Sequence, residues 1–329
     1  DINKPRLFAY DGGAGQPREE RPRNINAYLL DGTDLLVEKR MKPLPGLPTV
    51  QYGSKPADGG HLQVKGAAYG EVAADAFASK YLRPFVGADE LLSGGDRWCL
   101  WLVDAPQHDI SASPVLRSRT AQVREMRLAS TKPSTREAAN TPELFTEIRQ
   151  PSGPYLGIPR HVTETRQFFT ATRFSADVIC GDANFTAADP DGFLFAIISS
   201  SMFITWQRMI GGRIKSDLRF SNTIVWNNLP LPTPSTAARE DIIRAGVQIL
   251  EARNLHPEKS LEQHYEPDRM TPELLSAHRA LDELVDRAFG ERVLCESERD
   301  RQKILFAAYE ALTSPLLTSQ PNRGPRRGL

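Results

Sequence analysis

The sequence predicts an α+β protein in which a mixed body of strands and helices precedes a helical end. Short apolar runs bounded by turn residues recur from residue 26 to residue 229, a pattern typical of strands. Three prolines interrupt Leu229–Pro234, and this spacing predicts a linker. Beyond it the periodicity becomes helical, so we expect two parts of different architecture.

Strand and turn signals are frequent in the first hundred residues. Arg97–Asp104 is rich in aromatic and aliphatic residues and lies between two glycines and a proline, so it predicts a buried strand. Tyr28–Gly32 predicts a short strand and turn, and Leu35–Val37 a second strand. Asp58–His61 marks a further turn, and Ala67–Leu82 has helical character.

A helix with a basic edge is predicted to begin at Ser113, which would cap it, with Pro114 in its first turn. Apolar residues gather on one side of this helix with arginines beside them, namely Leu116, Val123, Met126, Arg117, Arg124 and Arg127. The arginines could bind phosphates. Alternatively, their aliphatic stems cover the core and the face is only solvated.

The second half of the mixed body alternates short apolar runs with turns: Tyr155–Ile158, Gln167–Phe169, Asp177–Cys180, Phe193–Ser201 and Thr223–Trp226. After the linker, helices are predicted at residues 237–254, 271–289 and 297–312. Thr271 and Pro272 give the second of these a start signal, and Gly290 gives it a stop. The last residues predict a loose tail.

Composition indicates a globular protein with a sizeable core, because the 329 residues are 40% hydrophobic and 25% charged. The longest apolar stretch, Phe193–Ile198, is too short to cross a bilayer, and the first residues do not resemble a signal peptide. We expect a cytoplasmic protein without a membrane partner. Cys99, Cys180 and Cys295 lack paired spacing, so we expect buried thiols and no metal site.

Charge is balanced over the whole chain but uneven along it. Lys and Arg number 41, as do Asp and Glu. Residues 117–136 carry six Lys and Arg against one Glu, whereas residues 236–290 carry seven against eleven Asp and Glu. The first region could contact phosphates, and the second would repel them.

The segment Gly211–Phe220 alternates charged and apolar residues, which predicts one extended strand. One face would carry Arg213, Lys215, Asp217 and Arg219, and the other Ile214, Leu218 and Phe220. The charged face offers hydrogen-bond donors and acceptors, as base edges in a DNA major groove require. A solvated strand face is the alternative.

No catalytic motif stands out. The sequence has no P-loop, no His-Glu-x-x-His and no Gly-x-Ser-x-Gly, and its six histidines show no ligand spacing. Three hypotheses remain: a nucleic-acid recognition module, a complete enzyme that uses scattered residues such as Asp177, Asp182 and His161, and a protein-interaction scaffold. Salt-dependent binding to duplex DNA would distinguish the first from the others.

Five segments occur in the order found in a known family: Asn24–Gly32, Tyr52–Gly60, Arg97–Leu102, Tyr155–Arg160 and Gly212–Asp217. The chain resembles the C-terminal part of MmeI-like DNA methyltransferases, single-chain restriction-modification proteins that methylate adenine N6 in a short asymmetric site. The resemblance runs from about Asn24 to Gly290.

The resemblance implies that the chemistry lies elsewhere. In this family, S-adenosylmethionine binding and the catalytic Asn/Asp-Pro-Pro-Tyr/Phe motif precede the target-recognition domain, and this sequence has no Pro-Pro pair. Residues 1–24 would be a remnant of the catalytic domain, 25–232 an α/β target-recognition domain and 233–329 a C-terminal helical domain. The expected partners are double-stranded DNA and the chain's own upstream methyltransferase domain.

The resemblance assigns two site residues, and the distribution of basic residues suggests the others. Lys215 and Asp217 match a covarying charged pair that recognises one base, and their chemistry suits guanine in one G·C pair. Arg219 and Arg173 are expected to join them. Residues expected to contact the DNA backbone are Arg117, Arg124, Arg127, Lys132, Arg160, Arg166 and Arg213.

We predict that this chain alone neither binds S-adenosylmethionine nor methylates DNA, because the residues that would do both lie upstream. Titration calorimetry with the cofactor should give no heat of binding at micromolar concentrations. Micromolar binding would contradict the division into domains.

Overall fold

The computed structural model describes residues 5–9, 16–290 and 295–317. Within these ranges the strands are β1 Leu7–Ala9, β2 Arg18–Glu20, β3 Gln51–Tyr52, β4 Gln63–Val64, β5 Leu82–Val86, β6 Trp98–Leu100, β7 Tyr155–Pro159, β8 His161–Val162, β9 Thr172–Phe174, β10 Ile179–Cys180, β11 Asn184–Ala188, β12 Gly212–Ile214 and β13 Asp217–Arg219.

The helices in the same ranges are α1 Ala68–Ala74, α2 Ala88–Leu92, α3 Gln107–Ala112, α4 Pro114–Leu128, α5 Pro133–Glu137, α6 Phe193–Ser199, α7 Ser201–Ile210, α8 Thr236–Asn254, α9 Leu261–His264, α10 Pro272–Ala288 and α11 Glu298–Leu317. Short 3-10 turns occupy Ala78–Tyr81 and Ala138–Asn140, and a π turn occupies Asn222–Trp226. The predicted α+β class is confirmed, with helices as the regular elements after β13 in the described residues.

An antiparallel sheet in the order β3-β11-β7-β9 lies beside the helices of the main hydrophobic core. All five residues of β7 are buried, as its apolar sequence predicts. Gly157 on this strand is needed for close packing, because a Cβ there would lie 2.6 Å from the ring of Phe174 on β9.

Helices α6 and α7 fill the same core and pack against α8, α10 and α11. All seven residues of α6 are buried, so its apolar run is a core helix. Gly246 allows α8 to pack closely against α6, since a Cβ at this position would lie 2.9 Å from Cβ of Ala196 on α6. In the described part of the chain no single helix is long and apolar enough to cross a membrane. Helices α6 and α7 together have the required length and composition, but they are bent by 63° where they meet.

A second core forms where α4 packs near the sheet β10-β5-β6-β4. The predicted start of α4 is confirmed, because the N–H of Leu116 donates to Oγ of Ser113 at 3.0 Å. Leu116 and Val123, which the helical wheel placed on one side, are both buried in this core.

The connecting segments are more closely packed than their sequences suggest. Leu229, Pro230 and Pro232 are buried, so the predicted linker Leu229–Pro234 packs against the body. The predicted strands at Tyr28–Gly32 and Leu35–Val37 are a hydrogen-bonded turn and an irregular segment. Proline and apolar patterns therefore predicted where regular structure is interrupted, but they did not predict how the irregular segments pack against the rest of the fold.

A buried chain of hydrogen bonds joins α8 and α10 to the rest of the core. Nε and Nη2 of Arg253 donate to the hydroxyl of Tyr265 at 3.1 and 2.6 Å, and Nη1 donates to the carbonyl of Ala171 at 3.0 Å. The Tyr265 hydroxyl lies 2.8 Å from Nε2 of His278, whose Nδ1 lies 3.1 Å from the carbonyl of Ser199.

The two partners of His278 define its protonation. The Ser199 carbonyl can only accept, so Nδ1 carries the proton and Nε2 accepts from Tyr265. Burial, followed by the nearby charge of Arg253, lowers the pKa of His278 to about 3. His278 is therefore neutral near pH 7.

Arg127 lies in the last turn of α4, and we expected it to contact a DNA phosphate. It has no exposed surface, and its guanidinium donates to the carbonyls of Pro56, Ala57, Ala138, Thr141 and Leu144 at 2.7–3.1 Å. The expectation that Arg127 contacts DNA is wrong, because all of its donors already bind the surrounding backbone.

We predict that Arg127→Gln lowers the free energy of unfolding by about 3 kcal/mol or more, since it leaves several buried carbonyls without donors. Urea unfolding of the chain measures the effect. Arg124→Gln on the exposed side of the same helix is the matched control and should change stability by less than about 0.5 kcal/mol. Equal stability of the two variants would contradict a structural role for Arg127.

Candidate nucleic-acid interface

The segment expected to be one strand is a β-hairpin. Strands β12 and β13 pair antiparallel, with Gly212 opposite Arg219, Arg213 opposite Leu218 and Ile214 opposite Asp217. Lys215 and Ser216 form the two-residue turn, and Lys215 has φ +54°, in the left-handed region that favours glycine. The prediction of a single strand with four charges on one face is wrong.

The hairpin redistributes the charged residues. Residues opposite one another in a ladder share a face, so Asp217 and Arg219 lie with Ile214, while Arg213 lies on the face of Leu218. Leu218 is buried and pairs with Val162 on β8, which anchors the hairpin to the body. Lys215 and Ser216 are exposed at the tip.

Arg213 stiffens the hairpin from its exposed side. Its Nη1 donates to the carbonyl of Ser216 at 2.9 Å and lies 3.3 Å from a carboxylate oxygen of Glu164. Both groups of this ion pair are about half exposed, so the pair contributes little to stability by itself. Its effect is to restrict the position of the tip beside Lys215.

His161 lies beside the hairpin, opposite Arg219 in the β8–β13 pairing. Burial lowers the pKa of His161, and the charges of Arg160 and Arg219 lower it further, while Asp217 opposes them. The imidazole is therefore neutral near pH 7, and its buried Nε2 has no hydrogen-bond partner among the described residues.

The scattered residues proposed for an unrecognised active site gain no support. The carboxylate that acts on His161 is that of Asp217, and Asp177 is exposed in a turn before β10. Among residues 5–9, 16–290 and 295–317, no group of three or more His, Cys, Asp or Glu could hold a metal ion.

A cleft of about 390 Å³ lies beside the hairpin and combines aromatic and cationic side chains. The ring of Tyr52 stacks on Phe185 with centroids 4.4 Å apart, and the guanidinium of Arg160 lies 5.4 Å from the Tyr52 centroid. Arg219 and Asn222 also line the cleft. Sequence analysis included Tyr52 in a family segment but did not predict it as a site residue, because a single aromatic residue on a short strand carries no distinctive signal.

The basic edge of α4 retains only part of its predicted charge for binding. Arg117, Arg124 and Lys132 are exposed. By contrast, Arg119 donates to the carbonyls of His61 and Gln63 at 2.8 and 3.2 Å. Of the residues of this region that were predicted to contact phosphates, Arg117, Arg124 and Lys132 therefore remain suited to that role.

Two further arginines of the predicted set act within the fold. Arg166 is 5% exposed and lies 3.6 Å from Glu262. It is therefore a buried partner in an ion pair, and the expectation that it contacts the DNA backbone is wrong. Arg173 donates to the carbonyls of Asp189 and Pro190 at 2.8–3.1 Å and lies 3.4 Å from the Asp189 carboxylate. Nε and Nη2 of Arg173 thus hold the segment before α6, and the expectation that this residue recognises a base stays a prediction.

Comparison with known proteins relates these features to a family. Residues 31–233 match the family described as "MmeI, target recognition domain", and residues 234–317 match "MmeI, C-terminal domain". DNA methyltransferase A of Bacillus subtilis (strain 168) is 32% identical over 292 residues, which are 88% of this chain and 33% of that protein.

A solved structure agrees with the fold. The structure of the Type IIL restriction-modification enzyme MmeI in complex with DNA superposes with a TM-score of 0.80 at 35% identity, over 95% of this chain and 42% of that one. This chain thus spans less than half the length of either relative. Because the first family alone covers more than half of its residues, the chain belongs to the MmeI family, with the target recognition domain at residues 31–233 and the C-terminal domain at residues 234–317.

Proposed function

We propose that this chain recognises a short sequence in duplex DNA on behalf of a site-specific DNA adenine-N6 methyltransferase of a restriction-modification system. The observation that carries the proposal is the exposed hairpin with Lys215, Asp217 and Arg219, in a chain that superposes on MmeI, an enzyme solved in complex with DNA. The similarity to a bacterial DNA methyltransferase supports the reaction. Methyl transfer and S-adenosylmethionine binding belong to the part of the parent protein that precedes this chain.

The hairpin suits the major groove, which is about 12 Å wide and admits a two-stranded ribbon. Lys215 at the tip offers donors to guanine O6 and N7, and Asp217, which closes the turn, accepts from cytosine N4. The two residues therefore address one G·C pair from the end of the hairpin, and not from one face of a strand as the sequence alone suggested. Arg219 shares the face of Asp217 and reaches a neighbouring base or phosphate.

The exposed arginine and lysine side chains position the DNA duplex along the protein surface. We assign phosphate contacts to Arg117, Arg124, Lys132, Arg160 and Arg213, because each has an exposed or partly exposed side chain. Methylation of adenine N6 requires the base to leave the stack, which costs a few kcal/mol in unstacking and unpairing. Contacts to the backbone and to bases on this chain would hold the distorted duplex while the upstream domain acts.

We predict that exchanging the charges at the tip, Lys215→Glu with Asp217→Arg, changes the base specified at one position from guanine to cytosine in the full-length parent. Glu accepts from cytosine N4, and Arg donates to guanine of the opposite strand. Neither Lys nor Glu favours a positive φ, so the turn should be equally strained in both proteins. Methylation mapping on genomic DNA measures the change.

The matched control for this exchange is Asp241→Arg with Arg244→Glu, which reverses an exposed ion pair on α8. The control should leave the methylated motif unaltered. If the motif of the hairpin variant is also unaltered while its activity persists, the assignment of Lys215 and Asp217 to base recognition fails.

We predict that Arg117→Gln and Arg124→Gln each weaken binding to cognate and non-cognate duplexes alike, and that each lowers the slope of log K against log salt by about 1. Fluorescence anisotropy over a series of salt concentrations measures both effects. Arg244→Gln, another exposed arginine on a helix, should change neither. A loss limited to one cognate sequence would contradict the phosphate assignment.

A further inference from the structure

An exposed leucine occupies a strained position near the start of the chain. Leu29 has φ +58°, and 62% of its surface is exposed. A left-handed backbone is unfavourable for a leucine, and so is an exposed apolar side chain, and glycine or asparagine would avoid both costs.

The turn that presents Leu29 is held firmly. Oδ1 of Asn26 accepts from the N–H groups of Tyr28 and Leu30 at 3.0 and 3.1 Å, and Oδ1 of Asp31 accepts from those of Arg23 and Asn24 at 3.0 and 3.2 Å. Leu30 is buried immediately beside it. The outward position of Leu29 is therefore fixed by hydrogen bonds and is not a frayed end.

Further apolar side chains are exposed on the same segment and on α11. Leu36 is 59% exposed, Met41 76% and Leu312 of α11 41%. We call Leu29, Leu36, Met41 and Leu312 the entry face. Residues near them join the segment to α11: the rings of Tyr28 and Phe306 lie 5.6 Å apart, and Thr33 donates to Glu310 at 2.9 Å.

A cleft of about 420 Å³ continues this face between the segment and α11. Leu35 and Leu36 line one side, and Tyr309 and Thr313 of α11 line the other. The charged residues of the segment, Asp31, Asp34, Glu38, Lys39 and Arg40, carry both signs. Such a surface offers apolar anchors with a polar rim, as protein interfaces do.

We propose that the entry face binds the domain that precedes this chain in the parent protein. That domain is the catalytic domain of the methyltransferase proposed above. This chain covers only 42% of the MmeI chain and includes the match to its C-terminal domain, so most of the rest of that relative lies ahead of the matched part. A residue that precedes the entry face contacts the first turn of α11, where Arg299 donates to the Glu20 carboxylate at 2.9–3.1 Å. A preceding domain therefore emerges beside this surface.

Hydroxyl-radical footprinting of the full-length parent and of this chain tests the contact. We expect oxidation of Leu29, Leu36 and Met41 to fall at least fivefold in the parent. Leu255, which is equally exposed at 62%, and Leu128, at 51%, are internal controls and should not change. Equal oxidation in the two proteins would overturn the proposal. Protection that instead requires added DNA, or that appears at high concentration of this chain alone, would also overturn it.

A pair of variants tests the functional consequence. Leu29→Asn with Leu36→Asn should leave the urea midpoint of this chain unchanged or raised, because Asn tolerates the left-handed backbone. In the full-length parent the same change should slow methylation at saturating DNA and cofactor at least tenfold, with the Kd for DNA within twofold of wild type. Leu255→Asn is the control and should alter neither.

The outcomes separate this proposal from the proposed function. A double variant that methylates as fast as wild type would overturn the docking proposal while DNA recognition stands. Failure of the unaltered parent to bind duplex DNA would refute the proposed function, whereas the footprint would still report whether a preceding domain covers the entry face.

Discussion

The buried guanidinium of Arg253 holds the helical end and the strand-containing body together. Through Tyr265 and His278 it connects α8 and α10 to the carbonyls of Ala171 and Ser199. A charge in this position is tolerated only because its donors meet acceptors, and removal of one acceptor would leave a buried cation underpaired. The core that carries the hairpin thus contains residues from both sides of Pro232.

Arginine is used in this molecule for two physically different purposes. Arg127, Arg173 and Arg253 saturate backbone carbonyls where irregular segments meet, since one planar guanidinium can satisfy several acceptors at once. Arg117 and Arg124 remain exposed. A basic stretch in a sequence therefore overstates the charge that a partner can reach, because burial removes some of that charge from the surface.

Two surfaces of different chemistry remain unpartnered in the described fold. The hairpin and its cleft combine cations, a carboxylate and a stacked tyrosine, which suits a polar, charged ligand such as duplex DNA. The entry face is apolar, and the charged residues around it carry both signs. Each also includes a left-handed residue, Lys215 in one and Leu29 in the other, so backbone strain coincides with outward presentation in both.

The sequence by itself determined the elements whose signals are local. Ser113 and Pro114 define the start of α4, and Thr271 and Pro272 that of α10, because caps and first-turn prolines act within a few residues. The family likeness was equally visible in its ordered segments. Only the tertiary structure showed that the chain reverses direction at Lys215, because the alternating pattern does not reveal a positive φ at one residue. Only the tertiary structure showed that Arg127 is buried, because a count of charges does not reveal the five backbone carbonyls that it binds.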